Sequence, residues 1–585
     1  MLGGGNAYAA AAGPTAYNQR VVHTFFSSRL GRVARVASVA ALSFAITFFF
    51  LVYGSTSTHA QAPGNGSGAA GAAGKGRILL VLPFDNRSGQ PSLEWIREAA
   101  PEILTSRFAA AGFAPMSRAD RLYALDHLGL PEGFHPSRAT ALKLAQTLDA
   151  DQIVVGSYLT DGTGIVAEAQ LVDVPHLRMS APVTARGEMK DLIAVFSSLA
   201  WKLTRELDPS FSVAEETFVA AGAGLRLDAF EQYIRGISES DQAERLRHLN
   251  HAVEESPDYG AAWMALGRED YNGQQYEQAA AAFAKVGGGD PESMGPDVLE
   301  AGFYRGLSLM FSGDYPQAEQ SFGAIARVLP LAEVVNNQGV AVSRQGHDGI
   351  ALFRQAVAAD PDAPDYHFNL AVSLKRHGQA AEAMAELAQC LKLRPNDSEA
   401  QSLEAAWKGP VPGQAAQANA SLAAEPKADP LERIVRNFDA VAFRQAAQML
   451  DQMEASRLAA LTPHQRAEKL AGQATDYLNR GLLLEAERLY QSAEAEDGSV
   501  AEEHVGLAEV RERTGNADAA RKEAHAALEL APTADAYLVL GRLDFAGGHL
   551  AEANKEVGSA LKLDATSRAA LELRRQIEAR EGQKK

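Results

Sequence analysis

His248 and His251 stand three residues apart, about one helical turn, with Glu244 and Glu255 a turn before and after. Imidazole and carboxylate are zinc-ligand types. One straight helix presents such groups in a row and cannot wrap them around an ion, and no second segment brings a further ligand. The row reads as a solvated helix face, and no metal is expected. Asn86-Arg87-Ser88-Gly89 could cradle an anion, but it follows an apolar run and reads as a strand-ending turn. Gly66-x-Gly68-x-x-Gly71 spells the dinucleotide fingerprint as text. That motif must follow a strand and open a helix, whereas this run precedes the first strand. Cys390 is the single cysteine, so it has no disulfide partner within the chain. It falls at an inward helical position and reads as a small core residue rather than a nucleophile. H-E-x-x-H, C-x-x-C, P-loop and G-x-S-x-G motifs do not occur. No catalytic, cofactor-binding or metal-binding residue is expected, and the chain is not read as an enzyme.

These residues must sit on a frame larger than one core can supply, because the chain has 585 residues. Its apolar fraction of 46% and charged fraction of 22% are ordinary for globular protein. The net charge of −18, with no basic face evident, argues against nucleic acid as a partner.

The stretch Ala363 to Asp397 reads as two short amphipathic helices joined at Gly378 and ended by Pro395. Leu370, Ala371, Leu374, Ala383, Leu387, Cys390 and Leu391 fall at helical spacing on both sides of the glycine. Neither helix is long enough to be stable alone in water, so the unit must stack on copies of itself. Copies are present: Ala486 to Ala520 is 34 residues and Ala520 to Ala553 is 33. Trp263, Leu266, Gly267, Ala279, Phe283 and Pro291 give W-x2-L-G…A-x3-F…P almost completely. Gly306, Ala318, Phe322 and Pro330 repeat it, and Gly339, Phe353, Ala356 and Pro361 give a copy about two residues short. Phe230 to Pro257 looks like a degenerate first copy. This pattern resembles the tetratricopeptide repeat family. The small residues let two helices approach and the large ones fill the gap between neighbours.

That resemblance implies a concave groove lined by the first helix of each repeat, with an Asn two residues before the Gly/Ala position facing it. Asn337 precedes Gly339 and Asn369 precedes Ala371 in this way, and Arg344 and Arg376 each follow that Gly/Ala by five residues. Two amides and two guanidiniums in adjacent repeats could hold an extended peptide by its backbone and an acidic group. Asn337, Asn369, Arg344 and Arg376 are therefore the candidate peptide-binding residues, although the first and third repeats of a carboxylate clamp do not map onto this chain.

Residues 1–35 carry Arg20, Arg29, Arg32 and Arg35 and no acid, and Val36 to Tyr53 is uncharged throughout. This is just enough to span a bilayer with the amino end in the cytoplasm. An uncleaved anchor places the chain in the inner membrane, single pass, with its bulk in the periplasm. A signal peptide cleaved after Ala60 makes it soluble and periplasmic. Residues 54–76 read as a flexible tether.

From 77 to 210 the pattern changes. Ile78 to Phe84 reads as a buried strand, followed by helices near 92–111, 117–128 and 137–148. A hairpin is expected at Asp161-Gly162-Thr163-Gly164, a third strand over 178–188, and a helix over 189–207. The result is a small α/β domain with a mixed sheet. Val81-Leu82-Pro83-Phe84, Ala150-Asp151-Gln152-Ile153-Val154-Val155-Gly156-Ser157 and Ala169-Gln170-Leu171-Val172-Asp173 make it similar to the TolB-like amino-terminal domain of bacterial proteins. That domain is often followed by tetratricopeptide repeats, and the resemblance implies no enzyme activity.

The expected order is therefore an α/β domain (77–210), a first helical array (225–408), a linker (409–429) and a second array (430–585) with a polar closing helix. Residues 433–460 are expected to form a helix pair. The function expected is an exported, membrane-tethered scaffold that binds protein or peptide partners in the bacterial envelope. The alternative is an envelope sensor whose α/β domain takes a small ligand.

Overall fold

Alternation along Ile78 to Phe84 sends successive side chains to opposite faces of a sheet. Leu80 and Leu82 pack with Leu125, Leu144 and Ile153 on one face; the strand itself ends at Val81, and past that break the Phe84 ring meets Phe196 edge-on. A computed structural model describes residues 78–222, 224–287, 296–408 and 430–582. The expected basic extension, membrane-spanning or signal stretch, tether and linker 409–429 lie outside the described residues. No helix among the described residues is long and apolar enough to cross a membrane.

β1 (Ile78–Val81) runs parallel to β3 (Ala114–Pro115) on one side and to β4 (Gln152–Asp161) on the other. β2 (Asp85–Asn86) extends the parallel pairing with β4. β4 and β5 (Gly164–Asp173) form the expected hairpin, in register from Gln152 opposite Asp173 to Asp161 opposite Gly164. Gly162 takes φ +80° at its turn. The expected third strand is divided: β6 (Arg178–Met179) and β7 (Val183–Glu188) both pair with β5. Between them the Ser180 hydroxyl accepts the Leu171 N–H at 3.0 Å, and Pro182 has no N–H to place in a ladder. Helices α1 (Ile96–Ala110) and α4 (Leu192–Leu207) cover one face, and α2 (Arg118–His127) and α3 (Arg138–Thr147) the other.

The described chain forms two compact units, one of residues 78–262 with 452–582 and one of residues 263–451. In the first, α5 (Glu215–Ala220) leads to α6 (Leu227–Ser238) and α7 (Gln242–Glu255). This pair, expected to open the first array, is held by α1 instead. Tyr233 donates to Glu102 at 2.8 Å, and Trp95 meets Phe230 edge-on. The same unit includes a helical array from 463 to 582, and the α/β domain is docked on it. Fully buried Glu487 accepts the Ala214 N–H at 3.0 Å and pairs with Arg511 at 2.7 Å. Arg511 also reaches the Thr217 hydroxyl at 3.2 Å. The expected second array of 430–585 is thus divided: residues 430–451 belong to the other unit, and 452–582 form one packed body with the α/β domain, where buried polar groups on each side find partners on the other.

The second unit stacks helices α8 (Gly260–Asn272) to α16 (Ser398–Lys408), in antiparallel pairs that include α10 (Pro296–Ser312) with α11 (Tyr315–Val328), α12 (Ala332–Arg344) with α13 (Ile350–Ala359), and α14 (Pro364–Arg376) with α15 (Ala380–Leu393). Close approach explains the small residues. A Cβ on Gly306 would lie 2.6 Å from the Phe322 ring, and one on Gly339 would lie 2.9 Å from Phe353. Cys390 is fully buried with Leu387, Phe368 and Ala400, and burial pushes its thiol up to about 11. The expected helix pair over 433–460 becomes a non-helical stretch from 430 to 439 and a single helix, α17 (Ala440–Ala459).

Candidate functional site: an occupied groove on the first array

α12 and α14 are the first helices of two successive pairs, and each turns an asparagine inward. Residues 430–438 lie across them. Asn369 donates from Nδ2 to the Arg433 carbonyl at 2.7 Å and accepts the Arg433 N–H on Oδ1 at 2.6 Å. Asn337 treats Val435 in the same way, at 2.8 and 2.9 Å. Asn336 ties the two together: its Oδ1 accepts from Asn369 at 2.8 Å, and its Nδ2 donates to the Arg433 carbonyl at 3.2 Å. All three asparagines are fully buried. Each amide therefore offers the donor and acceptor that an adjacent strand would offer. Alternate residues of an extended chain are about 6.6 Å apart and packed helices roughly 8–10 Å apart, so successive repeats can read residues 433 and 435. The later residue sits on the earlier repeat, and the segment runs against the order of the array.

The carboxylate of Glu432 is buried between side chains of both helices. The Ser343 hydroxyl and Arg376 Nη1 both donate to Oε1. Arg344 Nε stands 3.3 Å from Oε2 without hydrogen-bond alignment, and its Nη2 donates to the Glu432 carbonyl at 3.1 Å. Arg376 also donates to the Pro430 carbonyl at 2.6 Å.

The neighbouring side chain enters an acidic cage. The Arg433 guanidinium lies 3.6 Å over the Phe368 ring and bonds Asp397 at 2.7 and 2.8 Å, Asp365 at 2.8 Å and Glu399 at 2.9 Å. The hydrogen bond from Arg433 holds the Asp397 carboxyl below its usual range. Further along, Ile434 and Phe438 pack on the core that contains Phe303, Phe322 and Leu370, while Val435 packs beside Ala332, Val335 and Tyr366.

All four candidates, Asn337, Asn369, Arg344 and Arg376, therefore meet in one groove, and what they hold there is a segment of the same chain. The sequence reading missed Asn336, Ser343, the cage of Asp365, Asp397 and Glu399, and the occupant. Leu431, Ile434, Val435 and Phe438 are spaced i, i+3, i+4, i+7, which reads as a helix face. The signal that points the other way is Glu432-Arg433, a charge pair complementary to Arg344, Arg376 and the three acids.

The other candidates lie elsewhere. His248 bonds Gln232 at 2.6 Å, and burial lowers its affinity for a proton; His251 stands 3.6 Å from Glu255. Asn86 closes its own turn, accepting the Ser88 N–H at 3.1 Å and donating to the Gln90 carbonyl at 3.1 Å. The glycines at 66, 68 and 71 lie outside the described residues.

Residues 344–406 match the tetratricopeptide repeat family model. No curated protein matches the chain in sequence. Among solved structures, MamA 41-end from Desulfovibrio magneticus RS-1 is 21% identical and covers 30% of this chain and 100% of its own, with TM-score 0.27. YrrB, titled a TPR protein with an unusual peptide-binding site, is 14% identical over 35% of this chain and 98% of its own, with TM-score 0.26. The LpoB C-terminal domain from Escherichia coli is 21% identical over 20% of this chain and 84% of its own, with TM-score 0.18.

Proposed function

We propose that this chain is a protein-binding scaffold whose first helical array takes extended polypeptide in the groove of α12 and α14. The observation that carries this is the pair of asparagines, each bonding both backbone groups of one residue. Backbone recognition gives affinity for extended chain in general, and the flanking charges give selectivity. The α/β domain resembles the TolB-like domain and, with the apolar stretch 36–53, supports a scaffold exported to the bacterial envelope and tethered to the inner membrane.

The test is crosslinking and mass spectrometry on cells expressing the full chain or its Asn337→Ala/Asn369→Ala variant. The variant should stay helical and lose partners that the parent chain captures. An unchanged partner set from a folded variant would overturn it. A reporter fused after Gly76 should be active only outside the cytoplasm, and cytoplasmic activity would sink the export reading.

A further inference from the structure

We infer that the groove selects a partner segment carrying adjacent Glu and Arg followed by two aliphatic residues, and that residues 430–438 stand in for that partner and compete with it. This rests on the peptide-binding reading above.

The selectivity follows from what surrounds each side chain. The position of Glu432 meets Ser343, Arg344 and Arg376, so a basic residue there would face two guanidiniums. The position of Arg433 meets Asp365, Asp397, Glu399 and the face of Phe368, an arrangement for a planar guanidinium. Ile434 and Val435 reach two apolar clusters. Asparagine contacts to backbone alone would accept any sequence; the two oppositely charged sites, one residue apart, fix register and direction.

The competition follows from tethering. The segment belongs to the same chain as its groove, so an external peptide of the same chemistry meets an occupied site. Tethered ligands act at effective concentrations on the order of 1 mM. For an intrinsic Kd of about 10 μM, that lowers apparent external affinity by about 100-fold.

The experiment uses the full chain and a fluorescein-labelled peptide of sequence PLERIVRNF, with anisotropy as the readout. The parent chain should bind weakly, and the Glu432→Ala/Arg433→Ala chain should bind at least tenfold more tightly. A peptide with Glu and Arg exchanged should not bind. Equal affinity in both chains, or no binding to either, would overturn the inference. A second readout avoids dependence on the variant's folding: excess free peptide should accelerate hydrogen exchange of residues 430–438 in the parent chain, and unchanged exchange would overturn the proposal. A parent chain that dimerises through this segment, with the dimer lost in the Glu432→Ala/Arg433→Ala chain, would overturn occupancy within one chain. Loss of crosslinked partners in the asparagine variant alongside failure here would leave the groove as a binding site and remove the Glu-Arg selectivity and the built-in competitor.

Discussion

Replacing Glu432 by Ala should release the segment that fills the groove while leaving the helices intact. The side chain is fully buried and accepts charge-assisted bonds from Ser343 and Arg376 beside Arg344. Hydrogen bonds to charged groups contribute about 1.5–3 kcal/mol each. The two arginines are 19% and 27% exposed, so they regain some water when the carboxylate is gone. The net loss of docking free energy is therefore about 3 kcal/mol, or roughly a hundredfold in the opening equilibrium. The backbone amides of Arg433 and Val435 report it directly, since both donate to asparagine oxygens. Native-state hydrogen exchange at these amides should accelerate about a hundredfold, with helicity by circular dichroism unchanged. Leu431→Ala, at a side chain 56% exposed, should leave the same amides within threefold of the parent. Protection unchanged in folded Glu432→Ala would refute the claim that the buried carboxylate anchors the segment.

Two further outcomes concern the unit that holds the α/β domain. Gly156→Ala would place a Cβ 2.3 Å from the Phe84 ring and 2.7 Å from the Glu168 carbonyl. Overpacking of this kind costs about 1–3 kcal/mol, so calorimetry should show a melting point several degrees lower, and an unchanged one would contradict the packing. Glu503 is fully buried, with both carboxylate oxygens unpartnered, and desolvation raises it from 4.5 to about 7. The folded state then holds a proton that the unfolded state has released, so this group's contribution falls as pH rises from 4.5 through about 7. Glu503→Gln should raise stability at pH 8 more than at pH 5 in urea titrations; an equal gain at both would discount the carboxylate.

The repeats were legible because their constraint is local in sequence: a glycine on one helix and an aromatic ring on the next, as with Gly339 and Phe353. The mixed sheet was legible from the hairpin and the apolar first strand. The division of the third strand turned on one hydrogen bond to the Ser180 hydroxyl and the missing N–H of Pro182, below the resolution of periodicity. The groove residues Asn337, Asn369, Arg344 and Arg376 could be placed because repeat register fixes which way they face. Their occupant could not. Leu431, Ile434, Val435 and Phe438 follow helical spacing, and only the buried amides of a distant segment override that preference by taking the backbone groups a helix would use. The docking of α5 on the second array was hidden for a related reason, since nothing in the sequence near Glu487 tells that its buried partners include Ala214.

Asn337 and Asn369 each bond both backbone groups of one residue, and the proposed peptide site rests on that recognition. Calorimetric titration of PLERIVRNF tests it most directly, comparing the Glu432→Ala/Arg433→Ala chain with the same chain carrying Asn337→Ala and Asn369→Ala. Binding near the intrinsic Kd of about 10 μM is expected in the first, and losing four backbone hydrogen bonds at about 1 kcal/mol each predicts a loss of about a thousandfold in the second. Equal affinity in both, with both chains folded, would contradict the account.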